Sequence, residues 1–203
     1  MDLFLFDLDK TLYAYDFRER LPALSRYTGV SQYHLASTWW VAGFETRAEA
    51  GEWPTVEEYL DQFNAITGAS LTLAQWTDAR KRAMSPILGS VAALRRCATL
   101  GTVSLFSNNP APVGATLSIL APDVAEIVGS NMLISYQLGV RKPDPKAFRL
   151  ALEHYGIAAE NAFLADDRPS NVESARGVGL HAHQFTTVGL LDAAINRFTE
   201  RAR

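Results

Sequence analysis

Leu3-Phe4-Leu5-Phe6-Asp7-Leu8-Asp9-Lys10-Thr11 passes from four unbroken apolar residues directly into paired carboxylates. A continuous apolar run, rather than an alternating one, is the pattern of a strand covered on both faces, as in parallel α/β sheets. In extended chain the side chains of residues i and i+2 share a face, so Asp7 and Asp9 can meet one ligand. That ligand would lie at the carboxyl end of the strand, where open α/β sheets bind theirs. Two like charges held close become tolerable around a divalent cation, or when one of them is protonated. In isolation the same residues also fit an acidic turn after an edge strand.

Working outward, short apolar runs recur after Leu100, at Thr102–Ser107, within 127–135, at Ala162–Asp166 and at 180–185. Helices are expected between them, because parallel strands need crossovers of a dozen or more residues. Residues 86–100 carry Ile87, Val91, Leu94 and Ala98 at helical spacing, with Gly101 expected to stop the helix. Residues 145–155 place Phe148, Leu152 and Tyr155 on one stripe. Residues 13–85 have a different texture, helical and without a buried-strand signal. Thr55-Val56-Glu57-Glu58 reads there as an N-cap with acids in the first turn, ahead of the apolar face Tyr59, Leu60, Phe63 and Ile66. All four tryptophans fall in this stretch.

The chain has 203 residues, 48% of them hydrophobic and 20% charged, enough for one domain with a modest insertion and a sizeable core. No window reaches the roughly 18 apolar residues of a membrane span. The N-terminus lacks an export pattern, so a cytoplasmic protein is expected. A net charge of −3 gives no basic footprint for nucleic acid. Neither a membrane nor nucleic acid is therefore an expected partner, and a monomer or homodimer is. The lone Cys97 sits among Val91, Leu94 and Leu100 and reads as a core residue. His34, His154, His181 and His183 show no metal-ligand spacing.

Four polar clusters follow the strand candidates. Beyond Asp7 and Asp9 there is Ser107-Asn108-Asn109, whose hydroxyl and backbone N–H groups suit phosphate oxygens or simply cap a helix. Gly139-Val140-Arg141-Lys142-Pro143-Asp144-Pro145 presents Lys142 on a loop stiffened by two prolines. Asp166-Asp167 closes the apolar run Ala162-Phe163-Leu164-Ala165 and precedes Arg168-Pro169-Ser170-Asn171. Together they are a coherent set for handling a phosphate.

In that order and spacing the four clusters resemble the motifs of the haloacid dehalogenase-like hydrolase superfamily: Asp7-Leu8-Asp9-Lys10-Thr11, then Ser107, Lys142 and Asp166-Asp167. The resemblance spans residues 7–171. It implies a doubly wound, Rossmann-like parallel α/β core, residues 1–12 and 86–203, with a small α-helical cap, residues 13–85, inserted after the first strand. It further implies a phosphatase, in which Asp7 is the nucleophile that forms an aspartyl phosphate and Asp9 is the general acid and base. Mg2+ would be bound by Asp7, the carbonyl of Asp9 and Asp167, with Asp166 or Asn171 in support. Ser107, the Asn108 amide and Lys142 would hold the phosphate oxygens, and Lys142 would offset repulsion between Asp7 and the incoming dianion.

A small phosphorylated metabolite, a sugar phosphate or nucleoside monophosphate, is the expected substrate. The resemblance associates dehalogenation with a first motif that lacks the second carboxylate, so Asp9 disfavours that reaction. A phosphomutase and a non-catalytic phospho-ligand or protein-binding module are the other readings of the same residues. Lys10 occupies a place where many relatives have a small residue, and it is expected to face solvent. Tyr13, Tyr15 and Arg18 either line an entrance or serve as an ordinary linker. Trp39-Trp40 with Phe44, Glu45 and Arg47 form either a substrate pocket or core.

Overall fold

The computed structural model describes residues 1–201. Its strands in chain order are Leu3–Phe6 (β1), Tyr13–Tyr15 (β2), Met84–Pro86 (β3), Thr102–Ser107 (β4), Met132–Ile134 (β5), Ala162–Asp166 (β6) and His181–Gln184 (β7). Five of them form one sheet in the order β5-β4-β1-β6-β7, and every pairing in it is parallel. β1 is central and its four side chains are fully buried. Alternation sends Phe4 and Phe6 into one apolar core and Leu3 and Leu5 into the other, on opposite faces of the sheet. The strand built from the opening run is therefore covered on both sides, as its composition requires.

The chain leaves β1, adds β4 and then β5 on one flank, and returns to add β6 and β7 on the other. The order of the strands reverses at β1, which makes its carboxyl end the crevice of the sheet. Asp7 extends the ladder by one bond, its N–H donating to the Ala165 carbonyl at 3.0 Å.

Between β2 and β3 lie Phe17–Thr28 (α1), Gln32–Leu35 (α2), a π-turn at Ala36–Val41, Phe44–Glu49 (α3), Val56–Thr67 (α4) and Leu73–Arg82 (α5). Two of these helices start with complete capping boxes, Thr55 with Glu58 and Thr72 with Gln75. Each box satisfies N–H groups that a helix start otherwise leaves unpaired. The helices close on an aromatic cluster in which Trp39 stacks on Phe44 at 5.7 Å and meets Phe63 edge-on at 5.0 Å. Glu45 is buried in it and accepts from Trp39 Nε1 at 2.5 Å and from the Tyr59 hydroxyl at 2.8 Å.

The sheet is flanked by Leu88–Cys97 (α6), Ala111–Leu120 (α7), Pro122–Val128 (α8), Ser135–Leu138 (α9), Pro145–Tyr155 (α10), Pro169–Val178 (α11) and Val188–Glu200 (α12). No described helix is long and apolar enough to cross a membrane by itself.

Several details differ from the sequence reading. Residues 13–15 and 84–86 pair antiparallel, Tyr15 opposite Met84 and Tyr13 opposite Pro86, so both ends of the inserted stretch meet in one ribbon. With three residues each and one face toward solvent, neither strand carries the apolar run by which buried strands are read. The helix expected over 86–100 begins at Leu88, because Pro86 belongs to the ribbon. Gly101 does not end that helix in a left-handed turn. A Cβ at Gly101 would stand 2.3 Å from the Asp2 carbonyl oxygen, so its smallness serves the close approach of two backbones.

Candidate active site

Parallel pairing brings the carboxyl ends of β4, β1 and β6 side by side, and with them Ser107, Asp7 and Asp166. Lys142 joins them from the loop after α9. The residue is 1% exposed, and its Nζ lies 3.2 Å from Asp7 Oδ1, 2.5 Å from Asp166 Oδ2 and 2.7 Å from the Phe106 carbonyl. The Asn108 side chain clamps the lysine's backbone, donating to the Lys142 carbonyl at 2.7 Å and accepting from its N–H at 2.9 Å. One buried ammonium thus faces two buried carboxylates, a trio that leaves one negative charge over.

Burial and that excess both act on the carboxyl groups of the site. Burial pushes the Asp7 carboxyl up, Lys142 opposes it, and Asp166 and Asp9 add to the rise, leaving it at about 7. Burial alone would lower Lys142, but Asp7 and Asp166 outweigh it and hold the ammonium charged. Asp167, half-buried, is also raised, by burial first and then by Asp166. Burial is thus the main reason these carboxylates are driven toward their neutral forms, and their mutual repulsion adds to it.

Ligand oxygens from Asp7, Asp166 and Asp167 all lie within 4.8 Å of one another. Within that trio Asp166 is already engaged, by Lys142, by Asn171 Nδ2 at 2.9 and 3.0 Å and by the Arg168 N–H at 2.9 Å. Asn171 Oδ1 is buried and has no partner. Hard oxygen donors, an orphaned amide oxygen and surplus negative charge together fit an ion such as Mg2+.

The sequence reading placed Asp7, Asp9, Ser107, Asn108, Lys142 and Asp167 around one site, and all six line a single cavity of about 260 Å3. Asp166 stands immediately behind it, fully buried. Lys10 is exposed and adopts a left-handed backbone, φ 62°, which any side chain with a Cβ occupies at some cost. Glycine, which has no Cβ, would carry less of that strain.

Two further residues escaped the sequence reading as actors. Arg80 of α5 is buried, with Nη2 at 2.5 and 2.7 Å from the Asp9 carboxylate oxygens. Asn109 accepts from the same Nη2 at 3.2 Å and donates to Ser107 Oγ at 2.9 Å and Asp9 Oδ2 at 3.4 Å. Asn109 stood in a quoted cluster without a role. Arg80 lies 71 residues from its partner, with no local signal to find it.

Toward α1 and α3 the site continues into a second cavity of about 250 Å3, bounded by Tyr15, Phe17, Arg20, Trp40, Glu45 and Glu49. Tyr15 therefore lines the site, whereas Arg18 pairs with Asp16 on the surface. Tyr13 is buried, its hydroxyl donating to Asp123. Of the aromatic set, Trp39 is core and Trp40 faces the cavity, while Arg47 pairs with Glu52 outside. Cys97 is buried, its thiol pushed up to about 12 by burial, which removes it as a nucleophile.

Residues 1–179 match the family model described as haloacid dehalogenase-like hydrolase. The chain is 44% identical over 54 residues to a phosphoserine phosphatase of Thermus thermophilus, covering 26% of this chain and 22% of that protein. It is 31% identical over 94 residues to a phosphoglycolate phosphatase of Rhodospirillum rubrum, covering 46% and 36% respectively. These curated relatives are therefore matched over well under half of their own length. In three dimensions the chain superimposes on a HAD family enzyme of Bacteroides thetaiotaomicron in complex with magnesium and inorganic phosphate. That likeness has a TM-score of 0.77 at 20% identity and covers 92% of this chain and 94% of the other. A HAD-like family hydrolase of Porphyromonas gingivalis gives a TM-score of 0.79 at 19% identity, with 97% and 98% covered.

Proposed function

The chain belongs to the haloacid dehalogenase-like hydrolase family, and from that premise we propose that it is a Mg2+-dependent phosphatase acting on a small phosphorylated metabolite. The observation that carries the reading is the Lys142 ammonium bridging Asp7 and Asp166 next to Ser107, with Asp9 facing the same cavity. In this reading an Asp7 carboxylate oxygen attacks phosphorus. The Asp7–phosphorus bond forms as the bond to the leaving oxygen breaks, and Asp9 gives that oxygen its proton. Water then attacks the aspartyl phosphate, passing a proton to Asp9, and Asp7 departs as a carboxylate while inorganic phosphate is freed. Ser107, the Asn108 N–H and Lys142 hold the equatorial oxygens, where charge must be balanced.

Asp7, the Asp9 carbonyl and Asp167 would hold the Mg2+, with Asp166 and Asn171 fixing Asp167's surroundings. When bound, the ion supplies the positive charge that the carboxylate cluster lacks. The magnesium and phosphate complex of the Bacteroides thetaiotaomicron enzyme, and the phosphatase names of the two curated relatives, support this assignment.

Residues 13–85 are read as a cap over the site, residues 1–12 and 86–203 as the core. The substrate class is a sugar phosphate or a nucleoside monophosphate. In the cap-side cavity Arg20 faces Glu45 at 3.8 Å and Arg80 faces Asp9. Every cation there has its own carboxylate, which favours an uncharged, hydroxyl-bearing leaving group over a second anion. Tyr15, Phe17 and Trp40 add aromatic lining to that cavity, in keeping with a sugar leaving group.

The test is turnover of a panel of phosphorylated sugars, nucleotides and p-nitrophenyl phosphate with Mg2+ and with EDTA. Release should require the metal, and Asp7→Asn should fall to the background rate. Metal-independent release would overturn the Mg2+ dependence, and a surviving rate in Asp7→Asn would remove Asp7 as the nucleophile.

A further inference from the structure

We propose that Arg80 is a positioning residue for Asp9, placed by the inserted helices so that protonation of the leaving group depends on residues 13–85. This rests on the phosphatase reading and extends it to a residue of the cap. Among the described residues Asp9 has no other ion-pair partner, and Arg80 spends its hydrogen bonds there: Nη2 reaches both carboxylate oxygens and the Asn109 side chain, while Nε is buried without a partner. The Tyr15 ring lies under the guanidinium, 4.2 Å from its Cζ, and fixes its plane.

The geometry is unlike the two-nitrogen fork by which arginine usually locks a carboxylate. Here a single nitrogen straddles both oxygens, so one oxygen can turn toward the substrate while the other stays bonded. Asn109 holds the same carboxylate from the core side and joins it to Ser107. The phosphate-holding hydroxyl, the proton-carrying acid and the cap arginine are thereby connected in one chain of bonds.

A positioned acid matters in proportion to how badly the leaving group needs a proton. When an alkyl ester is cleaved, Asp9 must deliver its proton to the departing alkoxide oxygen as the phosphorus–oxygen bond breaks. p-Nitrophenolate departs as a stable anion and needs little help. Arg80→Met, similar in length and without charge, should therefore cut kcat on a sugar phosphate by about 100-fold or more. On p-nitrophenyl phosphate the same variant should lose less than about tenfold. Arg80→Lys should recover part of the alkyl ester rate.

Placed on Asp9→Asn, Arg80→Met should add nothing further, since both act on one proton. Equal fractional losses on the two esters, with unchanged circular dichroism and melting, would overturn the proposal and leave the phosphatase reading standing. Should Arg80→Met not fold, Arg80→Gln under the same two esters decides. A wild-type protein without Mg2+-dependent release of either ester overturns both readings.

Discussion

Lys142 is the residue on which the metal-free site balances. Its ammonium is buried against Asp7 and Asp166, and removing one partner of a buried pair exposes the full cost of the charges left behind. Lys142→Met should therefore destabilise the metal-free protein at pH 8 by about 3 kcal/mol, read as a lower urea midpoint. Added Mg2+ should recover part of that loss. An unchanged midpoint would mean that the carboxylates need no neutralising partner. At this scale the sequence was legible wherever a residue sits at the end of a strand, because strand ends convert spacing into position. Arg80 and Asn109 were not legible as actors. An arginine in the last turn of a helix looks like a dipole partner, and only the fold tells that its tip reaches Asp9.

Among the elements, α3 shows how the inserted helices touch the core. Its last residue, Glu49, bonds Arg141 of the lysine-bearing loop at 2.8 Å. Burial pushes the Glu49 carboxyl up from 4.5 to about 7, with Arg141 opposing and Glu45 and Asp9 adding to the rise. The folded protein then holds this proton more tightly than the unfolded chain does. The stability it contributes is whole below about pH 4.5 and is lost as pH rises through about 7. The loss is at most roughly 3 kcal/mol. Melting temperatures from pH 4.5 to 8 should accordingly fall more steeply in the wild type than in Glu49→Gln. Parallel profiles would show that Glu49 titrates as it does in water. The helices of this stretch were legible from their caps, since Thr55 and Glu58 carry a local signal. The ribbon was not, because three-residue strands bury too little to leave a pattern.

For the molecule as a whole, the sheet order sets a crevice at the carboxyl end of β1, and the carboxylates gathered there suit a hard cation. An ion that binds only the folded state raises stability by mass action, about 2.7 kcal/mol at a hundredfold excess over Kd. Mg2+ should raise the melting temperature, EDTA should reverse the rise, and Asp167→Asn should abolish it. A shift that persists in Asp167→Asn would place the ion elsewhere. The parallel core followed from the apolar runs alone, whereas their left-to-right order did not, because pairing between distant segments leaves no mark within either one.

The β2–β3 ribbon fastens both ends of the inserted helices to one place. Arg80 lies one helical turn before β3, and Asp9 bridges to Tyr13 at the start of β2, so both members of the ion pair sit beside that fastening. Tyr33 and Val41, in the same stretch, are exposed. Substitution at such exposed positions can retune the outer surface of the inserted helices without disturbing the pair anchored at the ribbon.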